Sequence, residues 1–384
     1  MNRSKTILVA PLNWGLGHAT RCIPIIRALK EDGYKVIIAS DGDTLELLKK
    51  EFPDTITATL PSYSIGYPEK GDKVLQKILS QGPTIYKAIK AEHRELDQLI
   101  DTYAIDGVIS DNRLGLYTHK VPTVFITHQL QVLSGKTTWL SSYVHNRFIK
   151  KFNECWVPDL QGVQNLSGRL GHPKKVVTPT KYIGPLSRMQ PAEEIQEYRV
   201  TAVLSGPEPQ RTQLEELLVK RLSRYKGKVL IVQGVVAKEQ QFFSKEGIDM
   251  VNYLTSPQLE KALNSSEYVI ARSGYTSIMD LACLGKKAFF IPTPGQPEQE
   301  YLAQLLQEKA MVPFSRQSDF KIKHLARLQI YKGFEKIAPH QELRQFFSLF
   351  EGKRELRSNS IFAFNINLLF VRFYNMLYNR KTES

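Results

Sequence analysis

Two series of short apolar, β-branched runs, each run followed by a stretch with apolar residues at helical spacing, set the strongest limit on what this chain can fold into. In the first half "TILVAPL", "KVIIAS", "TITATL", "DGVISD", "TVFITH" and "ECWVP" read as strands, while "HATRCIPIIRALKEDG", "GDTLELLKKEF" and "KVLQKILSQGPTIYKAIKAEHRELDQLI" carry 3.6-residue spacing. Continuous apolar strands alternating with helices belong to parallel sheets covered on both faces; a sheet wet on one face would show a polar residue at every second position. The alternation breaks near residue 184, at "GPLSRMQPAEEIQEY", and restarts with "VTAVLSG", "KVLIVQG", "YVIARSG" and "KAFFIP" between further helical stretches. The expected fold class is α/β, with two doubly wound Rossmann-like domains facing a cleft. Their expected extents are 1–184 for the amino-terminal domain and 199–352 for the carboxyl-terminal one. A linker spans 185–198, and an aromatic and basic helix occupies 353–384.

The length of 384 residues accommodates two such cores, since domains of this kind take roughly 150–200 residues each. Cys22, Cys155 and Cys283 lie far apart with no CxxC or CxxH spacing, which excludes a disulfide framework and a structural zinc site and fits a reducing compartment. No basic-then-apolar leader precedes the first strand, so a cytoplasmic location is expected. The net charge of +14 favours anionic partners, whether phosphorylated substrates or lipid headgroups. Nucleic acid is not expected, because no RNP-like aromatic motif, finger spacing or basic recognition helix is present. The tail "SNSIFAFNINLLFVRFYNMLYNRKTES" approaches membrane-spanning length, but Asn365, Asn367 and Arg372 interrupt it. It reads as a helix that packs back across the domains or lies at a membrane interface.

Chemistry concentrates where strands end. After the first strand, "NWGLGHATRC" offers Gly15, Gly17 and His18 at the start of a helix; glycines let backbone N–H groups approach a ligand, and the helix end behind them favours negative charge. The pattern matches neither GxGxxG nor GxxxxGK[ST], which argues against a dinucleotide dehydrogenase and a P-loop NTPase. A tight turn with His18 as an N-terminal cap is the plainer alternative. Asp111 and Asn112 in "VISDNRLG" and His128 in "ITHQL" end two other amino-terminal strands and border the same cleft. As an imidazole with a reference pKa of about 6.5, His18 suits a general base at neutral pH.

In the second half, "VIARSGYTSIMDLACLGKKAFFIPTPGQPEQEYLAQLL" places Arg272, Ser273 and Gly274 at a strand end and opens a helix near Thr276. The helix dipole and free N–H groups there suit a diphosphate, and Asp280, one turn in, suits a ribose diol. Ser277-x-x-Asp280 is equally a capping-box pattern. Gln296, Gln299 and Glu300 begin the next helix and suit sugar hydroxyls, although such residues are also ordinary at helix starts.

This succession resembles the donor-binding region of GT-B glycosyltransferases of family 28, the family of the lipid II-forming peptidoglycan N-acetylglucosaminyltransferase. "GLGHATRCIPIIRAL" is similar to that family's amino-terminal glycine loop and "IGPLSR" to its interdomain linker; the resemblance covers most of residues 6–312. It implies an inverting transferase that moves a hexosamine, N-acetylglucosamine first among them, from a UDP-sugar co-substrate to a hydroxyl acceptor that is lipid-linked or envelope-related. It implies that Asp280 holds the ribose, Ser273 and Gly274 the diphosphate, and Gln299 the sugar, with Gly17, Ser205, Gly206, Arg272, Thr276, Gln296 and Glu300 around the donor. The resemblance makes His18 the amino-domain candidate for the base, and Asp111, Asn112 and His128, by their place at strand ends on the same cleft, are candidates to bind the acceptor or support that base. It implies no metal and no bound cofactor; the basic net charge and the aromatic tail lead to an expected peripheral contact with the inner face of an anionic membrane. The sequence departs from the family pattern in "WGLGH", in Asp280 for the usual Glu, in Glu300 at the second amide, and in "LSGPEPQR". A nucleotide-sugar epimerase or hydrolase of the same fold, and a non-catalytic sugar-nucleotide-binding subunit, are the alternative readings.

Overall fold

The computed structural model describes residues 3–63, 82–133, 138–174, 176, 178–235, 237–337 and 343–351. The expected helix over 353–384, and the first residues of the helical stretch that begins at 73, lie outside the described residues.

The amino-terminal sheet has seven parallel strands in the order β3-β2-β1-β4-β5-β6-β7. They are β1 (Thr6–Pro11), β2 (Lys35–Ser40), β3 (Ile56–Thr59), β4 (Gly107–Asp111), β5 (Thr123–Ile126), β6 (Glu154–Val157) and β7 (Thr180–Tyr182). Strand order reverses between β1 and β4, which pair with Pro11 opposite Asp111; in open α/β sheets the ligand crevice forms at such a switch point. Helices α1 (Leu16–Glu31), α2 (Gly42–Glu51), α3 (Gly82–Tyr103) and α4 (Thr138–Ile149) complete the layers.

The second sheet runs β10-β11-β9-β8-β12-β13, from β8 (Tyr198–Val203), β9 (Val229–Val232), β10 (Phe242–Lys245), β11 (Ile248–Val251), β12 (Ser266–Ala271) and β13 (Lys287–Phe290). Four of its pairings are parallel and only β10 against β11 is antiparallel. Both Glu246 and Gly247 have positive φ in the two-residue turn that joins this hairpin, the backbone a tight hairpin turn requires. All four residues of β10 are exposed, so no apolar run advertises it. Helices α5 (Gln210–Leu222), α6 (Ser256–Asn264), α7 (Tyr275–Leu284) and α8 (Pro297–Glu308) pack on this sheet.

One apolar core is continuous between the two halves: Ile23 and Ile26 of α1 share it with Ile278, Met279 and Ala282 of α7. The chain returns at its described end, where α9 (Leu343–Phe346) and α10 (Ser348–Glu351) lie against the amino-terminal sheet. There Phe346, Phe347 and Phe350 surround the fully buried Trp156, with ring centroids 5.8, 6.4 and 6.3 Å away, and Lys5 donates to the Phe350 carbonyl. Residues 343–351 therefore belong by contact to the amino-terminal half, whereas the sequence places everything up to 352 with the carboxyl-terminal domain.

Candidate active site

Helix α1 begins earlier than its apolar spacing suggests. Gly15, at φ 82°, is the residue before the first turn, and no side chain caps the helix. His18 is thus not a cap; it stands inside the first turn and turns toward the neighbouring strand. Because β4 lies beside β1, Asp111 at its end meets His18, with Nδ1 3.1 Å from Oδ2. Arg21, three residues on and so on the same helix face, is 2% exposed. It donates from Nε to Asp111 Oδ2 at 2.8 Å and from Nη2 to Oδ1, and its Nη2 lies 2.7 Å from His18 Nδ1. Burial works against an ionised Asp111, but the charges of Arg21 and His18 outweigh it and hold the carboxyl at about 2. Burial, then Arg21, pushes the His18 imidazole below its ordinary 6.5 against the opposing pull of Asp111. The site therefore keeps a charged carboxylate beside a neutral imidazole at neutral pH.

His128 reaches across the cleft. Its Nε2 lies 2.8 Å from Glu298 Oε1 at the start of α8, and its ring stacks on Tyr275 of α7 at 4.3 Å and 10°. Gln129 donates to the other Glu298 oxygen, and Arg21 Nη1 comes within 3.4 Å of His128 Nδ1. His18, Asp111, Arg21, His128 and Glu298 form one polar chain from the first strand to the opposite domain. Sequence reasoning missed Arg21 and Glu298. An arginine three residues after His18, on the same helix face and among the apolar positions of α1, was the available signal for the first, and nothing distinguished the second from other helix-start acids.

On the carboxyl-terminal side, Gly274 precedes α7 in extended conformation and leaves the first N–H groups of that helix facing the cleft. Thr276 donates from Oγ1 to the Gly17 carbonyl at 3.1 Å, so the two predicted loops touch. A Cβ on Gly17 would lie 2.9 Å from that hydroxyl, which is why glycine stands there. Arg272 is fully buried, its Nη atoms on the carbonyls of Ile291, Pro292 and Gln210. Burial lowers its guanidinium to about 10, and among the described residues no carboxylate pairs with it. Its Nε, Gln210 Oε1 and Thr293 Oγ1 are buried without a partner, and a Cβ on Gly206, beside Ser205, would fall 3.6 Å from Thr293 Oγ1. Ser273 donates to the Gln299 carbonyl at 2.7 Å, and Gln299 Oε1 accepts from Thr293 N at 2.8 Å. Gln296 Oε1 accepts from Gln299 Nε2, and Glu300 accepts from Gly295 N. Arg272, Ser273 and Gln299 thus tie the carboxyl ends of β12 and β13 to the first residues of α5 and α8.

Asp280 is engaged from an unforeseen side. Its Oδ1 accepts from Ser187 Oγ in the linker at 2.7 Å, not from a capping-box partner. Burial raises its carboxyl to about 6, Arg188 and Ser187 holding it lower than burial alone would. Among the described residues no group of three or more His, Cys, Asp and Glu forms a metal site, and no helix is long and apolar enough to cross a membrane.

Comparison with known proteins agrees with this fold. Residues 209–347 match the sequence model of the glycosyltransferase family 28 C-terminal domain. An uncharacterized glycosyltransferase of Methanopyrus kandleri is 22% identical over 306 residues, covering 74% of this chain and 85% of that protein. A UDP-N-acetylglucosamine–N-acetylmuramyl-(pentapeptide) pyrophosphoryl-undecaprenol N-acetylglucosamine transferase of Sulfurihydrogenibium is 21% identical over 335 residues, covering 83% and 87%. The crystal structure of Acinetobacter baumannii MurG superposes with a TM-score of 0.54 at 12% identity, covering 90% of this chain and 99% of that one. With two parallel-sheet α/β domains and a family 28 carboxyl-terminal half, the chain is a family 28-like glycosyltransferase of the GT-B fold.

Proposed function

We propose that this glycosyltransferase moves a hexosamine, N-acetylglucosamine in the first instance, from a UDP donor to a hydroxyl acceptor with inversion. The observation that carries the reading is the Thr276–Gly17 contact, which joins the His18–Asp111 pair directly to the amino end of α7. Opposite a base, that helix end and the buried, uncompensated Arg272 offer the positive potential that a leaving diphosphate needs. In the step itself the acceptor O–H bond breaks as its proton passes to His18 Nε2, and the oxygen attacks the anomeric carbon. The bond from that carbon to the diphosphate breaks with its electron pair on the diphosphate. Asp111 beside Nδ1 steadies the imidazolium that forms. The relative that acts from UDP-N-acetylglucosamine on an undecaprenol-linked acceptor supports the choice of donor and of a lipid-linked acceptor. The +14 net charge supports peripheral contact with an anionic membrane surface. The donor pocket calls for no metal, since helix and guanidinium supply the charge.

Calorimetric titration of the full chain with UDP, thymidine diphosphate and GDP tests the donor assignment. UDP should bind most tightly of the three, and absence of binding by all three would overturn it.

A further inference from the structure

Arg21 places a question on the base that the His18–Asp111 pair alone does not raise. A guanidinium has only donors, and a ring nitrogen can either donate a hydrogen or accept one. His18 Nδ1 stands between the two, 2.7 Å from Arg21 Nη2 and 3.1 Å from Asp111 Oδ2. If Nδ1 carried a hydrogen toward Asp111, that hydrogen would share a 2.7 Å gap with the hydrogens of Nη2, a contact too close for two donors. With a bare lone pair at Nδ1 the shorter contact becomes a charge-assisted hydrogen bond, and Asp111 stays satisfied by the Nε and Nη2 of Arg21.

We infer that Arg21 is a positioning residue that holds the resting His18 ring in its Nε2–H tautomer, so that the base is disengaged until Arg21 leaves Nδ1. The inference rests on the reading of His18 as the base. In the Nε2–H form the ring nitrogen facing the acceptor has no lone pair and cannot take a proton. When Arg21 withdraws, a proton shifts to Nδ1, binds Asp111, and leaves Nε2 free to accept. The groups placed to move Arg21 are on the page. Its Nη1 touches His128, which is held by Glu298 from α8, so rearrangement of the opposite domain around a donor pulls on the same guanidinium. Those groups, with Asp111 and Cys22, are the titratable side chains around the ring. The lowered pKa of His18 agrees with a neutral ring beside a bound cation.

Nitrogen NMR of the full chain labelled at histidine reads the tautomer without turnover, the His18 signals being those lost in His18→Gln. The wild type without nucleotide should show a lone-pair Nδ1 and a protonated Nε2. Arg21→Met should invert the two, and Asp111→Asn, which leaves Arg21 in place, should not. A wild-type ring with its hydrogen on Nδ1, or an Arg21→Met ring unchanged from wild type, overturns the inference. Should Arg21→Met not fold, Arg21→Gln, whose amide oxygen can accept from an Nδ1–H, takes its place: the hydrogen should again move to Nδ1, and a ring unchanged from wild type in that variant overturns the inference. The outcome is separable from the role of His18 itself, since loss of turnover in His18→Gln tests the base whichever tautomer the ring adopts.

Discussion

Ser187 in the linker donates a 2.7 Å hydrogen bond to Asp280 in α7, and the same hydroxyl accepts from Met189 N at 3.0 Å. The carboxylate that the family resemblance assigns to the ribose is therefore also the anchor of the segment between the domains. If a ribose takes up Asp280 as proposed, it competes with or adds to the hydrogen bond that fixes Ser187 of the linker.

That arrangement sets a pH signature. Burial raises Asp280 from 3.8 to about 6 in the folded chain, so the folded state holds this proton more tightly than the unfolded one. Its contribution to stability is then full at acidic pH and falls as pH rises between about 4 and about 6. Asp280→Asn, whose amide oxygen still accepts from Ser187, should remove that decline. Thermal melts of both proteins across this range should diverge as pH rises, with the variant gaining; parallel curves would show that Asp280 does not titrate there.

The contact between the two loops can be tested by compensation. Gly17→Ala places a methyl 2.9 Å from Thr276 Oγ1 and should push the amino end of α7 away, weakening UDP binding by about tenfold, or ~1.4 kcal/mol. Thr276→Ala removes that hydroxyl, so the double variant should bind UDP more tightly than Gly17→Ala alone. Strictly additive losses in calorimetry would mean that the two residues do not act through each other.

Arg272 separates charge from base recognition. Its buried guanidinium has carbonyl partners and, among the described residues, no carboxylate, so a diphosphate bound beside it, as proposed, would supply the missing counter-charge. Arg272→Met should lower affinity for UDP by about 10–100-fold, on the scale of hydrogen bonds to charged groups, and leave uridine binding little changed. Equal losses for both ligands would assign Arg272 to general pocket shape.

Turnover should report His18 directly. His18→Gln should lower kcat by about 10²-fold or more. Because burial and Arg21 hold the imidazole below 6.5, the acidic limb of kcat/KM in the wild type should lie below that pH, where the ring gains a proton and ceases to be a base. A limb above 6.5 would mean that another group controls the rate.

Much of this was legible because the relevant residues sit where a parallel sheet must present them. His18, Asp111 and His128 each follow an apolar strand, and neighbouring parallel strands bring their carboxyl ends together whatever the loops do. Arg272 to Thr276 are equally marked by the strand "YVIA" and the helix behind it. What escaped has a common cause: it depends on contacts between distant segments. Glu298 matters because it meets His128, 170 positions earlier, and Asp280 because a linker serine reaches it. Strand β10 escaped because its exposed residues lack the burial pattern that periodicity detects, and the return of residues 343–351 to the first sheet because nothing local to Phe346 or Phe350 names Trp156 as their partner.

That return has a mechanical consequence. The chain passes between the halves once at Gly184, tied to Asp159 by a 3.0 Å bond, and again before Leu343, beyond which Phe347 and Phe350 are locked around Trp156. With Trp156 fully buried under these rings, a chain cut before Leu343 loses part of the cover of the first sheet together with this second attachment, so the last described turn is part of the amino-terminal fold and not an appendage of the domain it follows in sequence.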